Sequence, residues 1–386
     1  MESNRFRQLL VACALVVGFP LTILLWANLF ERMGSSTGSH MSRGEKSLAA
    51  GRYLEAISAF GHARELKPSD EGTQKALMRA RAHLVAEQPM RITAETAEDL
   101  RYEANYLLDS DRTHTAVYQT VLGNIAARTG NAEEARSRFD AALKADPNSL
   151  IAHVANAVFL LNQKDGVEKA KAEFESVLKV KPDHIVALVG LGQIALGENK
   201  AEAAAEKLEA ALKISDDLTA RMLLGTAKLR LQKNEDAVVQ YTRATQLDPR
   251  NAEAWKQLGQ ALLASGKAED AERALRTAAQ LNTDAQTVVA LGFALNRQKK
   301  PEQALPLFNA VLQQNNGDPT AIFGAGNALE DLGKKAEALQ LYKKLLSIQV
   351  PQNVPGGQLV TQLQQQAQQR VTALEGKGPA PAGAAP

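Results

Sequence analysis

The chain has 386 residues, with 45 lysines and arginines against 43 aspartates and glutamates, for a net charge of +2. Charges so evenly balanced and interleaved create no long-range field for a polyanion, which argues against a nucleic-acid partner. The single cysteine excludes an intrachain disulfide and a thiolate zinc site, and 45 % hydrophobic content with only 5 % aromatics, carried by alanine and leucine, favours close-packed helices.

The chain opens with a short basic tail over 1–8, holding Arg5 and Arg7, followed by an uncharged run from Leu9 to Phe30. At roughly 1.5 Å per residue, such a run crosses a hydrocarbon core of about 30 Å. Trp26 and Phe30 stand near one end, where aromatics favour the membrane interface. The reading is a transmembrane signal anchor over 9–30. A cleaved signal peptide is the alternative, but the run is long for one and no clear A-x-A site follows. Leu10-Val11-Ala12-Cys13 is similar to a lipobox, yet the apolar run continues far beyond the cysteine. Basic residues on the two sides of the span are nearly balanced, so orientation rests on the short basic tail staying inside, with the bulk of the chain exported. Residues 31–43, small and polar at Met33–Met41, read as a flexible linker.

The rest of the chain is periodic. Small residues recur at Gly123, Ala157, Gly192, Gly225, Gly259, Gly292 and Gly326, spaced 34, 35, 33, 34, 33 and 34 apart. Twelve or thirteen residues later comes a column of alanines at 135, 170, 204, 237, 271, 304 and 338. Four residues further stand Phe139, Phe174, Leu208, Tyr241, Leu275, Phe308 and Tyr342. The spacing predicts seven helix pairs over 116–350. Within each, the small columns let two helices approach, and the large residue fills the space between neighbouring pairs. Each helix is too short to be stable alone. Pro147, Pro182 and Pro249 block helix continuation and close three pairs, whereas Asp216 and Thr283 stand where two further prolines belong. A further pair is predicted at 38–70, with Gly44, Ala56 and Phe60. Ala56 to Ala135 exceeds two periods by eleven residues, so a divergent pair follows, with helices near 72–87 and 94–109. Within 351–376, Leu359, Leu363, Ala367, Val371 and Leu374 form one stripe on a glutamine-rich capping helix. Residues 377–386 read as a disordered tail.

These columns resemble the tetratricopeptide repeat (TPR) family, W-x2-L-G-x2-Y then A-x3-F then P. The unit with Trp255, Leu258, Gly259, Leu262, Ala271 and Leu275 carries it most fully. The resemblance implies an all-α, right-handed superhelical solenoid of helix pairs, here with an N-terminal transmembrane helix. It further implies a concave inner face lined by the first helix of each pair. On those helices the stripe pointing away from the partner helix predicts a groove at Thr120, Asn124, Val154, Val158, Val189, Gln193, Met222, Thr226, Lys256, Gln260, Val289, Phe293, Phe323 and Asn327. Asn124, Gln193, Phe293, Phe323 and Asn327 are the positions expected to face the groove most openly. An apolar strip with spaced amides suits a partner helix or an extended peptide. Some family members clamp a terminal carboxylate with several cations; Lys256 with Gln260 is as near as this chain comes, and one lysine is not a clamp.

No catalytic or metal motif stands out. The six histidines lack ligand spacing, Gly190-Leu191-Gly192 lies inside a helix column, and no G-x-S-x-G occurs. The expectation is a non-enzyme without cofactor: a scaffold holding a protein partner. By resemblance to bacterial proteins of this layout, it is placed in the inner membrane with its array in the periplasm, assembling an envelope complex. The alternative is a regulatory or recruiting subunit of a membrane-associated enzyme complex. Association of copies of the chain stays open.

Overall fold

The computed structural model describes residues 36–349 and 357–376. These are all-helical, 81 % helix without strands, as expected for a solenoid of helix pairs. The proposed anchor at 9–30 and the tail at 377–386 lie outside the described residues. Among the described residues, no helix is long and apolar enough to cross a membrane.

The chain divides into two units, 1–180 and 181–386. The first holds α1 (Thr37–Ala49) with α2 (Tyr53–Leu66), α3 (Glu71–Glu87) with α4 (Ala94–Ser110), α5 (Thr115–Arg128) with α6 (Ala132–Ala145), and α7 (Leu150–Leu161) with α8 (Val167–Val180). The second holds α9 (Ile185–Gly197) with α10 (Ala201–Ile214), α11 (Leu218–Arg230) with α12 (Asn234–Leu247), and α13 (Ala252–Ala264) with α14 (Ala268–Leu281). It ends with α15 (Ala285–Arg297) and α16 (Pro301–Gln314), α17 (Pro319–Asp331) and α18 (Lys335–Leu346), then α19 (Gly357–Leu374). One expectation needs correcting: residues 37–43 are not a flexible linker but the first turns of α1. Ser36 caps that helix by accepting from the Ser39 N–H, and Gly44 packs α1 beneath Phe60.

The columns do mechanical work, but not quite as the sequence predicts. A β-carbon on Gly123 would stand 2.6 Å from Phe139, on Gly192 2.7 Å from Leu208, and on Gly326 2.6 Å from Tyr342. The large residue thus fills the space inside its own pair, over its own glycine. Phe308 does this and also reaches the next pair, where it meets Gly324. These side chains are wholly buried, and each contributes about 1.5–3 kcal/mol by leaving water.

Outside the divergent α3–α4 pair, whose turn holds the 3-10 segment Pro89–Arg91, the turns inside pairs share a left-handed residue. The first helix ends in a left-handed residue, and the next N–H returns to a carbonyl five residues earlier, as Lys334 N–H does to Leu329 O at 2.9 Å. Gly130, Gly266 and Gly333 take that conformation freely, with φ of +82°, +76° and +75°. Asn199, Gln232 and Lys299 occupy the same position with φ near +60°. The α7–α8 turn is longer, which accounts for the thirteen-residue step from Ala157 to Ala170. A β-carbon on its Gly166 would meet Leu160 O at 2.0 Å.

Between pairs, polar side chains begin each first helix. Asp217, Asn251, Asp284 and Asp318 accept N–H bonds of 2.7–3.0 Å from the third helical residue. Asp216, standing where a proline is expected, holds its turn through Arg221 at 2.8 Å and Arg243 at 2.6 Å. At the C-terminal end, α19 packs on α17 and α18. It buries Leu363, Ala367 and Val371 and leaves most of its glutamines exposed, as a cap does.

Candidate functional site

The predicted stripe lies on the first helices α5, α7, α9, α11, α13, α15 and α17. The structure sorts its fourteen residues by what the neighbouring helices cover.

In the first unit, Thr120 and Asn124 do not line a groove. Thr120 is wholly buried and its hydroxyl donates to Ala116 O at 2.7 Å. Asn124 is also buried, and its amide donates to Ala86 O at 3.3 Å and reaches Val85 O at 3.5 Å. The cause is the divergent pair. Its helices run 17 residues each, and α3 with the 3-10 turn Pro89–Arg91 lies against α5 over this stripe. On α7, Val154 is half-buried and Val158 is 39 % exposed.

In the second unit, Val189, Lys256, Val289 and Phe323 are buried, Phe323 against its predicted open exposure. First helices of successive pairs touch along this edge, α9 with α11, α13 with α15 and α15 with α17. Much of the stripe is therefore a seam between pairs. Gln193 is exposed, while Met222, Thr226, Gln260, Phe293 and Asn327 are half-buried. Phe293 stacks edge-on against Phe308, with centroids 5.3 Å apart. The Thr226 hydroxyl lies 3.0 Å from the Tyr241 hydroxyl, and Asn327 Oδ1 accepts from the Tyr342 hydroxyl at 2.7 Å. These tyrosines were absent from the predicted site. The signal available was a hydroxyl in a column otherwise filled by Phe and Leu, reaching from inside the pair to the stripe.

Lys256 is no carboxylate clamp. Glu253 holds its ammonium at 2.7 Å and Asp284 lies 3.6 Å away. Burial alone would lower its pKa, yet these two carboxylates raise it and fix the charge.

The histidines are less scattered than their spacing implied. The rings of His83 and His114 lie 5.4 Å apart, and His153 reaches Glu173, which also accepts from Asn156 at 2.9 Å. Among the described residues no group of three or more His, Cys, Asp and Glu side chains has metal-binding geometry. A groove of about 380 Å³ between α10, α11 and α12 is lined by both charge signs. Its Lys228 pairs with Glu209 at 2.7 Å and its Arg221 with Asp216, which leaves no concentrated field for an anion.

Sequence models described as TPR repeat match residues 225–266, and models described as tetratricopeptide repeat match 120–168, 160–218 and 295–354. No curated protein matches. Among solved structures, the Cut9–Hcn1 hetero-tetramer of APC/C aligns at TM-score 0.55 and 17 % identity, covering 78 % of this chain and 56 % of that one. This chain therefore spans little more than half of that relative. YrrB, a TPR protein with an unusual peptide-binding site, aligns at TM-score 0.43 and 20 % identity over 48 % of this chain and 95 % of its own. PilW, a widely conserved type IV pilus biogenesis factor, aligns at 0.48 and 20 % over 52 % and 93 %. At these identities, only the fold at TM-score 0.55 carries weight.

Proposed function

Because the chain belongs to the tetratricopeptide repeat family, whose members are generally non-catalytic modules that bind protein partners, we propose that its stripe of first-helix residues holds a partner segment. The observation that carries this is in the second unit. Gln193, Met222, Thr226, Gln260, Phe293 and Asn327 come from five successive first helices, and none of them is fully buried. Amides alternating with apolar and aromatic surface can hold the backbone groups of a helix or extended peptide while supplying contact area. We further propose that Leu9–Phe30 anchors the chain in a bacterial inner membrane with its helix pairs outside, and that it serves the assembly of an envelope complex. The uncharged length of that run supports the anchor.

Photo-crosslinking residues placed at Gln193, Met222 and Gln260 of the full chain in native membranes test the reading. Adducts to one protein at all three positions are expected, with those from Gln193 and Gln260 lost when Met222→Glu is added. Equal adducts from Glu269 on the second helix α14, or no adducts from the three, overturn it. A fusion reporter after residue 36 reads the orientation; cytoplasmic activity contradicts the exported arrangement.

A further inference from the structure

The divergent pair that breaks the repeat spacing also gathers titratable rings that the scaffold reading leaves unused. His83 on α3 stacks on Tyr53 of α2, centroids 5.7 Å apart and planes 25° apart. It meets His114 edge-on at 5.4 Å, in the Arg112–His114 turn before α5. Tyr118 of α5 lies beyond His114, at 6.2 Å. The Nε2 of His83 is buried and has no hydrogen-bond partner; neither has the buried Nε of Arg79, one turn earlier on the same helix.

Every acid around this cluster is already engaged. Asp111 accepts from the Tyr118 hydroxyl at 2.6 Å, from the Thr113 N–H at 3.0 Å, and lies 3.2 Å from His114 Nδ1. Glu87 accepts from the Tyr53 hydroxyl at 2.8 Å, and Glu45 of α1 pairs with the Arg79 guanidinium. We propose that His83 makes the N-terminal pairs acid-responsive: protonation of its ring, with no free acceptor nearby, loosens α3 from α2 and from the turn that begins α5.

The electrostatics agree with the geometry. Burial first, then the neighbouring His114 and Arg79, push His83 down from 6.5 to about 4, against a smaller opposing pull from Asp111. Burial alone would raise the Asp111 carboxyl, but the bonds from Thr113, Tyr118 and His114 hold it well below the usual carboxylate range, so it stays committed as the pH falls. The unfolded ring takes a proton more readily than the folded one. Stability from this site is therefore full above pH 6.5 and drains away as pH drops toward 4. The device goes beyond partner holding, since it controls whether α1–α4 remain docked.

Hydrogen exchange of the full chain at pH 7.5 and pH 5, corrected for intrinsic rates, tests it. Amides of α2 and α3 should open about tenfold more at pH 5, while those of α13–α16 do not. His83→Phe should abolish the difference and His114→Gln should keep it. Should the aromatic replacement fail to fold, His83→Gln, neutral at either pH, gives the same readout. Unchanged exchange in the parent chain, or an acid response that survives removal of His83, overturns the proposal.

Discussion

Phe308 lies directly under Gly324: a β-carbon on that glycine would stand 2.2 Å from the ring's Cε1. Gly292, in the ring's own pair, lies on its other contact at 2.6 Å. One aromatic side chain thus joins two successive pairs through the absence of two methyl groups. Gly324→Ala should destabilise the second unit by about 1–3 kcal/mol through overpacking. Gly61→Ala, inside α2 with nothing within 4 Å of its added carbon, should stabilise by about 0.5–1 kcal/mol. Chemical denaturation of both variants decides; a neutral Gly324→Ala contradicts the packing account.

Gln232 holds a left-handed backbone, φ +58°, in the place where Gly130, Gly266 and Gly333 sit in other pairs. Gln232→Gly should raise stability by about 0.5–1 kcal/mol, since the glycine sheds a conformational penalty, and Gly333→Ala should lower it by about 1 kcal/mol. Thermal melts of the two single variants should move in opposite directions.

His184 begins α9 in a position that the four later pairs give to Asp or Asn; its Nδ1 accepts the Ala187 N–H at 3.4 Å. Burial, and secondarily Lys181, lower its pKa. Only the neutral ring can accept. The unfolded state therefore takes up the proton first, and the cap's contribution, present above pH 6.5, is lost as pH falls below it. His184→Asn should stabilise by about 0.5–1 kcal/mol at pH 5 and by less at pH 7.5. Melting at both pH values checks this; a larger gain at the higher pH contradicts it.

Asn124 ties α5 to the end of α3 through Ala86 O at 3.3 Å. Asn124→Ala should cost about 1–2 kcal/mol by leaving a buried carbonyl without its donor. Limited proteolysis should then cut first near 88–93. Stability equal to the parent's would restore Asn124 as a candidate groove residue.

How far the sequence reaches depends on the kind of constraint. Pair boundaries are legible because close approach demands a small residue, and that demand repeats: Gly259 must sit beneath Leu275 just as Gly123 sits beneath Phe139. Even the irregular α7–α8 turn is visible as one extra residue. The stripe is only partly legible. Asn124 and Gln193 look alike in sequence, yet α3 buries the first, whereas the second is exposed among the described residues. Burial there depends on how long the preceding helix runs. The boundary between linker and first pair is blurred because Gly-Ser-rich composition resembles a linker, whereas Ser36 caps the first helix of the pair expected at 38–70 and Phe60 holds it in place.

The glutamine face of α19 sets where such a chain can lengthen. A duplicated pair could be spliced in wherever one first helix already meets the next, as between α14 and α15, since both surfaces it would need exist there. Added after α19, it would meet a surface made largely of exposed glutamine amides, with Leu359 as an exposed apolar side chain. A pair gained between existing pairs would leave the seat of α19 on α17 and α18 as it is.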